Sequence, residues 1–219
     1  VPLAKITTNY NGTDIEQADA VTEQEVEALR QKHGLQGKKV VLYAGTYGRA
    51  NDILTLMQTV RQMANDESIK FILTGNGYFE PQLRELAAQV SNLLLMEPLP
   101  RPEVFKLFKL ADVSLVTFNN LPVLASNSPS KFYDSLACGT PVIVTNPGWT
   151  KRFVEEHQVG WYTPAEEPTA LAESIRYALS KPEELKAAGA RGEAIARSLF
   201  NRQMLVKDVE QVLLEAAKV

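Results

Sequence analysis

The chain holds a single cysteine, Cys138, so no disulfide can close within it and a reducing compartment is the simple reading. Cys138 lies in an apolar helical context and reads as a small core residue. Histidine is nearly as scarce. His33 and His157 each follow a helical stretch and lack ligand spacing, which argues against a zinc site. No apolar run reaches the roughly 18 residues that a membrane span requires. Basic residues are outnumbered, with a net charge of -3, so a dedicated nucleic-acid binder is not expected. No charged region followed by an apolar block opens the chain, as a signal peptide would. The opening, VPLAKITTNYNGTD, has no methionine and reads as a chain already in progress, part of a longer protein.

Several nucleotide and hydrolase signatures are also missing. No glycine-lysine-Ser/Thr triplet occurs, and no G-x-G-x-x-G follows a strand. No D-x-D triplet is available to hold a metal-bound diphosphate, and there is no G-x-S-x-G elbow. The acid pairs Glu155-Glu156, Glu166-Glu167 and Glu183-Glu184 fall on helical stretches and read as solvated faces.

What is present is an ordinary globular composition, 45% hydrophobic and 22% charged over 219 residues, enough for one large domain or two small ones. The first twenty residues are polar and turn-rich and read as a connection rather than an element. Thr22 then caps a helix, with Glu25 completing a capping box and Gly34 as the stop.

From Lys39 onward, apolar runs ending in glycine or proline alternate with helically spaced segments. KVVLYAG reads as a strand buried on both faces, and IKFILTGNG, NLLLMEPL, DVSLVTF, PVIVTN and GWYTP read as further strands. Helices are expected between them, one of them over Ser128–Gly139, and three more close the chain. The expected fold class is α/β: a doubly wound, Rossmann-like parallel sheet of about six strands. The domain organisation reads as a connection over 1–21, one domain over 22–199, and an added terminal helix over 200–219.

Ligands of such sheets bind beyond the carboxyl ends of the strands, where the chain order reverses. After the first strand, GTYGRAND offers Gly45 and Gly48 for close backbone approach and Arg49 as a donor fork for phosphate. The same residues also fit a tight turn with a surface arginine. After the second strand, Gly75 and Gly77 flank Asn76, which leaves either room for a ligand or a plain turn. After the third, EPLPRPE, with Leu99 inside it, is stiff enough to face a nucleobase, or is simply a proline-rich connection.

After the fourth strand the polar stretch 119–127 leads to Ser128 as N-cap, Pro129 at N1 and Lys131 in the first turn. A lysine there opposes the helix dipole. Asp134, three residues on, shares its side of the helix. One account is a surface salt bridge, worth at most about 1 kcal/mol. The other is an anion site, in which helix N–H groups and the ammonium meet a diphosphate and Asp134 takes the vicinal hydroxyls of a ribose. A diphosphate would then be neutralised by Arg49, Lys131 and the helix end, without metal.

NYNGTD, VVLYAGTYGRANDI, IKFILTGNGYFEPQL, LADVSLVTF and above all SPSKFYDSLACGTPVIVTNPG together resemble a known family. The chain is similar to the C-terminal, donor-binding domain of a GT-B glycosyltransferase of group 1, the glycogen-synthase-like retaining family. Members carrying Pro-Ser-Lys in this helix are often amino-sugar or deoxy-sugar transferases of surface polysaccharide synthesis. The resemblance implies one half of a GT-B fold and retaining transfer of a hexosyl or amino-sugar group from a nucleotide-sugar, with UDP or GDP as the nucleotide and no cofactor.

It implies Arg49 and Lys131 as the catalytic diphosphate ligands. The implied donor-binding set is Gly45, Thr46, Gly48, Gly75, Asn76, Leu99, Ser128, Ser130 and Asp134. Three positions depart from the family pattern: Asp134 and Ser126 stand where it has glutamates, and Thr46 where it has arginine. The acceptor would come from an N-terminal domain absent from this chain. A cytoplasmic location is implied, and lipid-linked acceptors among the relatives allow peripheral membrane association. Two other readings stay open: a nucleotide-binding scaffold, given Ser126, and a GT-B-like nucleotide-sugar epimerase, disfavoured by the placing of the histidines.

Overall fold

In the computed structural model, residues 6–217 are described. The first five residues of the expected connection and the last two of the terminal helix lie outside them. Six strands form one sheet: β1 (Lys39–Ala44), β2 (Ile69–Thr74), β3 (Leu93–Met96), β4 (Val113–Val116), β5 (Val142–Val144) and β6 (Gly160–Tyr162). Every pairing is parallel, and the order is β3-β2-β1-β4-β5-β6. The chain order therefore reverses between β1 and β4, which opens a crevice at their carboxyl ends.

Strand periodicity divides the core. Val40 and Leu42 point to one face, with Phe105, Phe108, Phe132 and Leu136. Val41 and Tyr43 point to the other, with Ile53, Leu56, Leu83 and Leu171. The first face is covered by α5 (Arg101–Leu110) and α6 (Ser130–Ala137), the second by α3 (Ile53–Gln62), α4 (Glu80–Gln89) and α8 (Pro168–Leu179). Both faces are dry, so the strands read as continuous apolar runs, and each fully buried Phe or Leu contributes about 1.5–3 kcal/mol. Cys138 is buried in the first cluster.

α1 (Ile15–Ala20) corrects the expectation of a bare connection. Asp14 caps it, accepting from the Gln17 N–H, and Ile15 and Ala18 are buried. Six residues with two core contacts leave little periodicity to read, so packing rather than pattern makes this helix. In α2 (Glu23–Lys32) the capping box of Thr22 and Glu25 is present. Two long helices, α9 (Pro182–Leu199) and α10 (Arg202–Ala216), end the described chain after α7 (Trp149–His157) and β6, and α10 buries no residue. No helix among the described residues is long and apolar enough to cross a membrane.

The segment 9–14 returns to the start of α10. The Thr13 N–H donates to the Phe200 carbonyl at 2.8 Å, and the Arg202 N–H donates to the Thr13 carbonyl at 3.0 Å. Asn11 Nδ2 donates to the Ser128 carbonyl at 2.9 Å, just before α6.

Candidate functional site

A cleft of about 580 Å³ opens at the carboxyl ends of β1 to β4. Residues after each of those strands line it: Gly45 and Thr46, then Gly75 and Asn76, then Leu99 and Arg101, then Phe118. The mouth of α6 closes the far side with Ser130, Lys131 and Asp134. Two glycines let the walls approach. Gly45 and Gly75 have φ of 148° and 146°, and a Cβ on Gly75 would lie 1.9 Å from the Gly45 carbonyl oxygen. No side chain caps α6, so its first N–H groups face this cleft without a side-chain acceptor.

Lys131 lines the cleft, its amine packed beside Gly45 at the end of β1. Its Nζ is buried, has no hydrogen-bond partner, and lies 3.8 Å from the centre of the Tyr43 ring. The Tyr43 hydroxyl is itself occupied, donating to the Thr46 carbonyl at 2.7 Å. Burial without a counter-charge pushes the Lys131 pKa down to about 7. No acid lies beside the amine to balance its charge.

Asp134 is engaged elsewhere. Thr13 Oγ1 and Arg101 Nη2 both donate to its Oδ1, each at 2.6 Å. Burial pushes its pKa up, opposed by the Thr13 hydroxyl and the Arg101 guanidinium. The surface pair of Lys131 and Asp134 is therefore not formed. Asp134 is only 7% exposed and pairs with Arg101 across from α5.

Of the expected donor-binding residues, Gly45, Thr46, Gly75, Asn76, Leu99, Ser130, Lys131 and Asp134 line this one cleft. Arg49 does not. Its guanidinium stacks on the Tyr78 ring at 4.2 Å and lines a separate hollow with Asp52, Phe79, Asn119 and Glu166. Gly48, which precedes the short 3₁₀ turn Arg49–Asn51, is also outside the cleft.

Ser128 is not the N-cap: α6 begins at Ser130, after Pro129, and Ser128 Oγ is hydrogen-bonded to the Tyr133 hydroxyl at 2.6 Å. Pro129, itself extended at φ -78° and ψ 133°, takes the cap position, so the helix starts one residue later than expected. Ser126 is exposed at the end of the 3₁₀ turn Pro122–Ser126, with Oγ donating to the Val123 carbonyl at 3.3 Å. No group of three or more His, Cys, Asp or Glu residues suited to a metal occurs among the described residues.

A sequence profile of the family described as "Glycosyl transferases group 1" matches residues 25–194. This chain belongs to that family. It is 30% identical over 146 residues to the probable glycosyltransferase WbjE of Pseudomonas aeruginosa, covering 64% of this chain and 36% of that protein. It is 25% identical over 190 residues to the putative glycosyltransferase YtcC of Bacillus subtilis, covering 80% and 46% respectively. The chain thus spans less than half the length of both relatives. Among solved structures, HepE of Anabaena in complex with UDP-glucose superposes with a TM-score of 0.79 at 18% identity, over 97% of this chain and 57% of that one. That likeness shows the fold: the six-stranded parallel sheet is shared with GT-B glycosyltransferases.

Within this group 1 chain, three residues at the site had no role in the sequence reading. Arg101 sat unremarked in a proline-rich loop, Thr13 in a turn-rich connection, and Tyr43 in an apolar strand. Arg101 and Thr13 lie 33 and 121 residues from Asp134, and Tyr43 meets Lys131 from a distant strand. Local spacing points to none of these pairs.

Proposed function

We propose that this chain is the donor-binding half of a retaining glycosyltransferase, taking a nucleoside diphosphate sugar, with UDP or GDP as the nucleotide, in the cleft above β1 to β4. The observation that carries this reading is the buried Lys131 Nζ, which has no partner and borders the same cavity as Asp134 and the uncapped start of α6. Lys131 and the helix N–H groups take the diphosphate. The Asp134 carboxylate takes ribose hydroxyls, and the loop around Leu99 lies against the base.

As the bond from the anomeric carbon to the diphosphate oxygen breaks, negative charge grows on the leaving diphosphate. Donors already in place stabilise it without reorganising. In this reading the diphosphate is held without metal, and Arg49 has no part. The acceptor and any base beside it belong to a second half of a longer protein. The apolar side chains exposed on α10, Val206, Leu213 and Leu214 among them, are the surface such a half would cover. The reading suits a protein acting on a cytoplasmic nucleotide-sugar pool in glycoconjugate synthesis.

Calorimetric titration with UDP, GDP and ADP tests it, with Lys131→Ala and Asp134→Ala beside the unaltered chain. Binding of one nucleotide, lost in both variants, is the expected result. Absence of binding to all three at millimolar concentration would sink the reading and favour a scaffold.

A further inference from the structure

Thr13 is fully buried, and every polar group it carries has a fixed partner. Its backbone N–H and carbonyl are held by Phe200 and Arg202, so the residue cannot shift along the chain. Gly12 is pressed so close to α10 that a Cβ there would lie 2.9 Å from Arg202 Cα. From this anchored position Thr13 Oγ1 donates to Asp134 Oδ1. Arg101 Nη2, at the start of α5, donates to the same oxygen. Both bonds are short and charge-assisted, and together they hold the carboxylate plane. Among the described residues Asp134 Oδ2 receives no donor.

We propose that Thr13 is a positioning residue of the donor site. With Arg101 it occupies Asp134 Oδ1 and so presents Oδ2 to the vicinal diol of a nucleotide ribose. Asp134 has one methylene fewer than glutamate, so its carboxylate has less reach and its orientation matters more. The inference rests on the reading of Asp134 as the ribose ligand and adds what aims it. It also ties ribose recognition to the junction between segment 9–14 and α10, because a shift of that junction moves the hydroxyl that holds the carboxylate.

The test compares UDP and GDP with their 2′,3′-dideoxy counterparts by calorimetry, on the unaltered chain, Thr13→Val, Thr13→Ala and Thr13→Ser. A site built to hydrogen-bond a hydroxyl discriminates strongly against the analogue lacking it, so the unaltered chain should prefer the ribonucleotide by about tenfold or more. Thr13→Val removes only the hydroxyl and should bring that ratio towards one, while Thr13→Ser should restore it. A merely structural role would weaken both nucleotides equally and leave the ratio alone. An unchanged ratio in Thr13→Val overturns the inference and leaves the ribose reading standing. If Thr13→Val does not fold, an unchanged ratio in Thr13→Ala does the same. Equal affinity for both nucleotides in the unaltered chain, or no binding of either pair, overturns the underlying reading and the inference with it.

Discussion

Lys131 and Tyr43 form a cation–π contact, 3.8 Å from Nζ to the ring centre, and this is the only favourable partner the structure gives the Lys131 amine among the described residues apart from the more distant Phe118 ring at 5.8 Å. Such a contact offsets about 0.5–2 kcal/mol of desolvation, less than the burial of an unpaired charge costs. The amine therefore carries a burial cost that its ring contacts leave partly uncompensated.

Lys131→Met should accordingly stabilise the fold by about 1 kcal/mol, as replacements at strained functional positions commonly do. The same variant should lose diphosphate binding by about a hundredfold or more, since a charged partner of the ligand is removed. Thermal denaturation and calorimetry on one preparation check both. A destabilised variant that still binds would show that Nζ is satisfied in some other way.

The pH dependence follows from the same group. Its folded pKa, about 7, lies below the ordinary value of 10.5. Between those values the unfolded chain holds a proton that the folded chain does not, so the Lys131 contribution to stability rises with pH across that window. Below pH 7 both states are protonated and the full burial penalty is present. Urea midpoints at pH 7 and pH 10 should differ in that direction, and Lys131→Met should flatten the difference. A bound diphosphate favours the ammonium, so binding above pH 7 should take up a proton. Titrations in buffers of different ionisation enthalpy measure that uptake directly.

Gly75→Ala should be severe. The added Cβ would meet the Gly45 carbonyl oxygen at 1.9 Å, at a φ of 146° that alanine rarely adopts. A loss of about 3 kcal/mol or more is expected, read from the denaturation midpoint. Little change would mean that the two loops can separate, and that the cleft wall is looser than the structure has it.

Arg49→Ala should leave diphosphate affinity within about threefold, because that guanidinium stacks on Tyr78 and lines a separate hollow, where an exposed charge contributes little. A loss as large as that of Lys131→Ala would restore Arg49 to the site and require the loop after β1 to move on binding.

The strands, their order of appearance and the helices between them were legible in the sequence. Runs such as KVVLYAG and IKFILTG have no polar face, and only a sheet covered on both sides accommodates them. The position of the cleft followed from that architecture, and SPSKFYDSLACGTP pointed to Lys131 and Asp134. Helix α1 was not legible, because six residues hold too little period. The start of α6 was misplaced, because a serine before a proline looks like a cap whether or not its hydroxyl is drawn to Tyr133.

By itself, then, the sequence determined the layered α/β fold, the capping box of Thr22 and Glu25, and which loops would line the cleft, since all of these depend on local pattern and hydrophobic burial. Only the tertiary structure decided who pairs with whom. Asp134 went to Arg101 and Thr13, Lys131 was left without an acid, and Arg49 was turned away to Tyr78. The physical reason is range. Charge partners are chosen by distance in space, and the folded sheet brings together residues whose separation of 33 or 121 positions leaves no trace in spacing.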